Sequence, residues 1–302
     1  MRRTVLPSVA LVAVTALLSA CAGDDRPTDG RGSGGVTGTT LPTLASRVPK
    51  DMLDEGEIVV GSDIAYPPVE FYTEGSTEVQ GLDHDLCQEI AAKLGLENGC
   101  RFDNGTFDAL LAGLRAGRFD IVMSAMSDTE ARRRDGVDFI DYFAVGTSIL
   151  VARGNPAGIA SLDDLCGRTV GVQRGTTQED LAREQATACD RAGRKLDILT
   201  FDSDTAAVEA LKGGRSAADL SDFPVAAYHA ATSGGGDDFE VVGAQIRAAP
   251  YGIAVPADET DLRDLLRDAL RAIIADGTYD RVLSRWNVLY GSLKTATING
   301  NS

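Results

Sequence analysis

Two short stretches of this 302-residue chain combine helix-start residues with groups suited to holding an anion. In Ser127-Asp128-Thr129-Glu130-Ala131-Arg132, Ser127 and Glu130 have the spacing of a capping box, which predicts a helix start there. Free backbone N–H groups and the positive end of the helix dipole favour an anion, and Arg132, in the second turn, offers a planar fork that fits a carboxylate. Gly175-Thr176-Thr177-Gln178-Glu179 repeats the arrangement with Thr176 and Glu179, so a second helix N-terminus can face the same cleft. Asp222 supplies the opposite charge, as a seat for an ammonium group needs. Plainer readings fit the same residues: a capped helix whose Arg132-Arg133-Arg134 run is solvated, and a carboxylate beside Phe223-Pro224 that caps a turn. Asp63, Tyr66 and Phe107 complete the set. Aromatic faces close a small pocket well, although an aromatic at a helix start is more often core than ligand wall.

The elements that position these residues follow from periodicity. Glu57-Ile58-Val59-Val60-Gly61 is a β-branched run that reads as a strand, and Leu82, Leu86, Ile90 and Leu94 have helical spacing before Gly95 stops them. Phe107 to Leu114 repeats the helical pattern, and Phe119-Asp120-Ile121-Val122-Met123 reads as a second buried strand. Past Arg168 the alternation continues, with Thr169-Val170-Gly171-Val172 as strand and Glu179 to Ala188 as helix. Such alternation predicts an α/β protein with largely parallel sheets. Ala112-Gly113-Leu114-Arg115-Ala116-Gly117-Arg118, leading into a strand that ends at Ser124, is echoed by Glu209-Ala210-Leu211-Lys212-Gly213-Gly214-Arg215, leading into one that ends near Ser221. Two similar lobes are implied. Ligands belong outside the carboxyl ends of the strands of such sheets, which places Ser124 and Asp222 on opposite sides of one cleft.

Composition narrows the function classes. The formal charge of −16 makes nucleic acid an improbable partner, because affinity for it comes mainly from basic residues facing phosphates. No Gly-x-Ser-x-Gly, His-Glu-x-x-His or Gly-x-x-x-x-Gly-Lys-Ser/Thr pattern occurs, and His84 and His229 are the two imidazoles, so no catalytic constellation, metal site or cofactor is expected. His84 reads as a surface residue of its helix.

Arg2 and Arg3, an apolar stretch from Val5 to Leu18 and small residues before Cys21 have the order of a signal peptide, 1–20. The stretch is shorter than the roughly twenty apolar residues that cross a bilayer and is interrupted by Pro7, Ser8 and Thr15. Residues 21–46 are Gly, Thr, Asp, Ser, Pro and Arg with few large apolar side chains, and read as a flexible tether. Export places Cys87, Cys100, Cys166 and Cys189 in an oxidising compartment where pairing is expected. Three pairings can be drawn, of which the sequence-neighbour one joins Cys87 to Cys100 and Cys166 to Cys189; four buried free thiols are the alternative.

Leu18-Ser19-Ala20-Cys21 resembles the lipobox of bacterial lipoproteins, which implies a diacylated Cys21 and a chain held at the extracytoplasmic face of the cell membrane. The folded part resembles the polar amino acid family, family 3, of bacterial extracellular solute-binding proteins that feed ABC importers. The resemblance rests on Val60-Gly61-Ser62-Asp63 with Tyr66-Pro67-Pro68, Gly81-Leu82-Asp83-His84-Asp85-Leu86, Thr129-Glu130-Ala131-Arg132, Val170-Gly171-Val172-Gln173, Gly175-Thr176-Thr177, Tyr251-Gly252-Ile253-Ala254 and Asp276-Gly277-Thr278-Tyr279. It implies a two-lobed periplasmic-binding-protein-like fold (type II) of α/β lobes, hinged by two crossing strands and closing on its ligand. Lobe I would be 56–143 plus 245–290, lobe II 144–244, and 291–302 a C-terminal tail. One disulfide would lie in each lobe. The resemblance puts a ligand α-carboxylate on Arg132 and the Thr177 N–H, with Thr176 at the same helix start, and the α-ammonium on Asp222 and around Ser124, Ala125 and Ser127. Tyr66 and Phe107 would flank the side chain, with Asp63, Glu70 and Gln178 near its tip. The chain departs from the pattern at Ala217, where relatives often have aspartate, and at Asp219, which reads as a structural acid paired within its lobe. The implied activity is capture of a polar or cationic L-amino acid by a monomer that delivers it to a permease and its ATPase. The alternatives are a dehydratase-type enzyme on the same fold, with Glu70 or Asp63 as its acid or base, and a sensor for a signalling receptor.

Overall fold

The computed structural model describes residues 43–300. The leader at 1–20, Cys21 and the tether up to residue 42 lie outside the described residues. The folded part starts earlier than expected: Leu44–Arg47 is a 3-10 turn, Leu44 packs against the main core and Arg47 donates to Asp268 at 2.7 Å. A single leucine with an apolar surface to meet is enough to end the tether.

After helix α1 (Lys50–Glu55) come strand β1 (Glu57–Ser62), a small antiparallel sheet of β2 (Ala65–Tyr66), β3 (Glu70–Tyr72) and β4 (Val79–Gln80), helix α2 (Leu82–Leu94), β5 (Gly99–Asn104), α3 (Leu110–Arg115), β6 (Ile121–Val122) and α4 (Glu130–Arg134). The long β7 (Val137–Ala152) leads to β8 (Thr169–Gln173), α5 (Thr177–Arg191), β9 (Asp197–Phe201), α6 (Asp204–Lys212), β10 (Ala218–Asp222) and α7 (Phe223–Thr232). The equally long β11 (Phe239–Pro256) returns the chain to α8 (Thr260–Ala275), α9 (Thr278–Arg285) and β12 (Ser292–Ile298). Helix α2 matches its predicted span: Leu82, Leu86, Ile90 and Leu94 are buried on one face, and Gly95 ends the helix at φ 78°, a left-handed conformation that glycine adopts without strain.

The strands join in the order β5-β1-β6-β11-β7-β10-β8-β9. Strands β1, β5 and β6 are parallel at one end, as are β8, β9 and β10 at the other, whereas β7 and β11 run antiparallel between them. The sheet is therefore continuous and mixed, not two separate parallel sheets. At 16 and 18 residues, β7 and β11 extend roughly 50–60 Å, far more than one small lobe needs, and each contributes to two cores. Val137–Val145 and Tyr251–Val255 pack with α2, α3, α8 and α9, while Ile149–Val151 and Phe239–Val242 pack with α5, α6 and α7. Two lobes and two crossing strands result. Where they cross, the Gly146 N–H donates to Gln245 Oε1 at 2.9 Å, and a Cβ at Gly146 would lie 2.9 Å from both Gln245 Cβ and Ile246 O, so only glycine allows the approach.

Within the span expected as a C-terminal tail, the described residues up to 300 include a strand. Strand β12 pairs β7 and buries Ala296, and the Phe139 N–H donates to Asn299 Oδ1 at 2.9 Å. Ser292-Leu293-Lys294-Thr295-Ala296-Thr297-Ile298 carries the β-formers Thr295, Thr297 and Ile298, but its apolar residues Leu293, Ala296 and Ile298 break the period-two alternation that marks a strand. Disulfides join Cys87 to Cys100 and Cys166 to Cys189, the sequence-neighbour pairing, tying α2 to β5 in one lobe and the entry of β8 to α5 in the other. Among the described residues no helix is long and apolar enough to cross a membrane.

Candidate ligand-binding site

The carboxyl ends of β1, β6, β8 and β10 converge on a cavity that, with its open mouth, holds about 310 Å³ of empty space between the lobes. Asp63 and Tyr66 enter it after β1, Ser124, Ala125 and Ser127 after β6, Thr176, Thr177 and Gln178 at the start of α5, and Asp222 at the end of β10. Phe107 and Arg132 also line it, so the structure brings every expected site residue to one place. Glu70, expected near the side-chain tip, is among them, and Gln173 joins them.

At one end Arg132 is fixed by its own acceptors. Its guanidinium donates to Ser127 O at 2.7 Å and, across the cleft, to Gly175 O at 3.1 Å, and lies 5.3 Å from the centre of the Phe107 ring. Burial lowers its pKa to about 10, so it stays charged at neutral pH. Helix α4 begins differently from expectation: its N-cap is Thr129, whose hydroxyl accepts from the Arg132 N–H, and Ser127 lies outside. With five residues α4 offers little dipole, and the anion-binding capacity of this corner belongs to the Arg132 side chain. The fifteen-residue α5 does begin as predicted at Thr176, whose hydroxyl accepts from Glu179 N–H at 3.1 Å, while Glu179 Oε2 reaches back one residue further than a capping box requires, to Gly175 N–H at 2.8 Å. The Thr177 N–H belongs to the first turn of this helix, whose donors have no partner within the helix, and lines the cavity with Arg132.

Asp222 faces them. Its carboxylate accepts from Tyr66 Oη at 3.1 Å across the cleft and from Gln178 Nε2 at 2.8 Å, and its backbone N–H donates to Tyr66 Oη at 3.0 Å. Burial pushes its pKa up to about 7, with the Tyr251 and Tyr66 hydroxyls pulling the other way. It is thus a carboxylate whose ionisation a neighbouring cation would favour.

Asp63 and Glu70 occupy the remaining end. Burial raises Asp63 to about 6, and Gln173 Nε2, 2.6 Å away on the opposite lobe, opposes the rise. Glu70 Oε1 accepts from Ser124 Oγ at 2.9 Å, the same hydroxyl that receives the Asp63 N–H at 3.0 Å, while Glu70 Oε2 is sealed without a donor. Burial and the nearby Asp83 hold the Glu70 carboxyl well above the usual range. Asp83 takes Tyr142 Oη at 2.6 Å and the Ala125 N–H at 2.9 Å. That bond pins Ala125 at φ 47°, a left-handed conformation unfavourable for a residue with a Cβ.

The sequence reading did not mark Gln173 as a site residue; a polar side chain ending an otherwise apolar strand, Thr169-Val170-Gly171-Val172-Gln173, is the signal that was available. Asp219, expected to be paired, has no donor for either carboxylate oxygen. His84 is half-buried, between Asp85 and Gln88, at 3.2 Å from each. Outside the cavity the lobes also meet through aromatic rings, Phe71 with Tyr228 at 6.0 Å and Phe223 with Tyr290 at 5.2 Å.

Similarity to known proteins agrees with this geometry. Residues 58–288 match the family described as bacterial extracellular solute-binding proteins, family 3. The arginine-binding protein ArgT of Corynebacterium glutamicum is 31% identical over 300 residues, covering 99% of this chain and 96% of ArgT. An ancestral arginine-binding protein solved with arginine superposes with a TM-score of 0.70 at 34% identity, over 76% of this chain and 98% of that one. The ancestral amino acid-binding protein AncCDT-1, described as a precursor of cyclohexadienyl dehydratase, gives 0.69 at 33% identity, over 78% and 97%. With its two lobes, crossing strands and inter-lobe cavity, this chain belongs to the bacterial extracellular solute-binding proteins of family 3.

Proposed function

We propose that the protein captures a cationic L-amino acid, with arginine the leading candidate, and delivers it to an ABC importer. Charge balance in the cavity carries this reading. Arg132 with the Thr177 N–H suits an α-carboxylate, and Asp222 suits an α-ammonium. Burial favours the protonated form of Glu70, so once a zwitterion is seated Asp63 remains as the carboxylate with no cation left to it among the residues lining the cavity. A buried charge needs a partner, and a cationic side chain supplies one. The names of ArgT and of the arginine-bound ancestral protein point the same way.

A thermal-shift screen of the mature domain against the common amino acids tests this, because a ligand bound only by the folded state raises apparent stability by RT ln(1 + [L]/Kd). Arginine is expected to give the largest shift and glutamate none. A screen in which no amino acid raises the melting point would overturn the reading. Incubation with prephenate or arogenate is expected to leave both unchanged; turnover would favour the dehydratase alternative. The leader and Cys21 support attachment to the extracytoplasmic membrane face through lipid, for which Cys21→Ser should release the protein from the membrane fraction.

A further inference from the structure

Gln173 and Asp63 reach each other from opposite lobes, and both are buried. Gln173 Nε2 donates to Asp63 Oδ2 at 2.6 Å and to Asp202 O at 3.3 Å. An ionised carboxylate and a backbone carbonyl can only accept, so the amide nitrogen must face them, and this fixes the orientation of the amide. Its Oε1, which takes no donor from the described residues, is left for the cavity that Gln173 lines.

We propose that Gln173 is a specificity-determining residue, forming with Asp63 a two-acceptor seat that selects a guanidinium over a primary ammonium. The assignment rests on the reading of the cleft as a cationic amino acid site and deepens it. A guanidinium spreads five N–H donors over a rigid plane and can meet a carboxylate and an amide oxygen at once. An ammonium is a compact charge that Asp63 alone can satisfy, leaving Gln173 Oε1 idle.

Titration calorimetry of the full mature protein and of Gln173→Leu with L-arginine and L-lysine decides the matter, with ligand-free melting as the folding control. The parent is expected to hold arginine at least about tenfold more tightly than lysine. Gln173→Leu should weaken arginine roughly tenfold to hundredfold while lysine changes by less than about threefold, so that the preference collapses. Equal losses for both ligands, or an unchanged ratio, would overturn the assignment while leaving cationic binding intact. A parent protein that binds neither ligand refutes the underlying reading, and this assignment with it. If Gln173→Leu fails to fold, the parent decides alone: equal affinity for arginine and lysine overturns the two-acceptor seat.

Discussion

Strand β10 carries two buried aspartates, Asp219 and Asp222, on opposite faces, and their surroundings could hardly differ more. Asp222, at the carboxyl end, receives Tyr66 Oη and Gln178 Nε2 and opens on the inter-lobe cavity. Asp219 lies opposite Leu150 of β7, on the face where Leu150 packs with Val208 of α6 and Ala226 of α7. Neither of its oxygens has a donor, and Ser148 Oγ, Ser216 Oγ and Ser221 Oγ are likewise buried without partners in the same lobe. Nearby, His229 Nε2 is 3.4 Å from Asp204 Oδ2. Burial raises both acids, but only donors aimed at the carboxylate make the anion attainable near neutral pH. The cavity face is built to present a charge, and the helix-covered face to suppress one.

The largest expected effect separates the two faces through binding. Arg132→Ala and Asp222→Ala each remove one partner of a desolvated ion pair with the ligand, a loss of about 3 kcal/mol or more, so calorimetry should show arginine affinity reduced at least roughly a hundredfold. Asp219→Ala, on the same strand, should change affinity by less than about threefold. Comparable losses at 219 and 222 would end the distinction.

Proton linkage sharpens it next. Asp222 titrates at about 7 in the ligand-free protein, and an α-ammonium favours its ionised form. Affinity should therefore be greatest above pH 7 and fall roughly thirtyfold by pH 5.5, as a proton must leave before the ligand binds. Asp63, at about 6, adds to the fall for a cationic side chain. Asp219→Asn should keep this pH profile, whereas Asp222→Asn should flatten it at a much lower affinity.

The cavity was legible in the sequence and the opposite face was not, for a physical reason. Residues at strand ends and helix starts sit where topology delivers them, so Asp63, Ser124, Thr177 and Asp222 could be placed together from the order of elements alone. Arg132 lines the cavity although its helix starts later than expected, since Ser127 and Thr129 are both good caps and the choice depends on how the strand before them exits. The partner of a mid-strand acid depends on which side chains of other elements reach it, and no local pattern encodes that; hence Asp219 looked paired and is not. Strand β12 escaped notice because its signal is only seven residues long and its partner, β7, is some 150 residues earlier.

The smallest effect concerns stability alone. Folding raises the Asp219 pKa well above 3.8, so above that pH the unfolded chain ionises this group while the folded protein keeps its proton. The folded state then binds more protons, and stability attributable to Asp219 is complete below about pH 4 and declines as pH rises toward the folded pKa. Asparagine carries no titrating proton and keeps the shape. Asp219→Asn should therefore melt with the parent at pH 4 and several degrees above it at pH 7 to 8, at roughly 3 °C for each kcal/mol recovered. A variant that melts lower than the parent at pH 7 would show that the Asp219 carboxylate finds a donor after all, the Ser221 hydroxyl two residues on being the candidate, and the two faces of β10 would then differ in degree and not in kind.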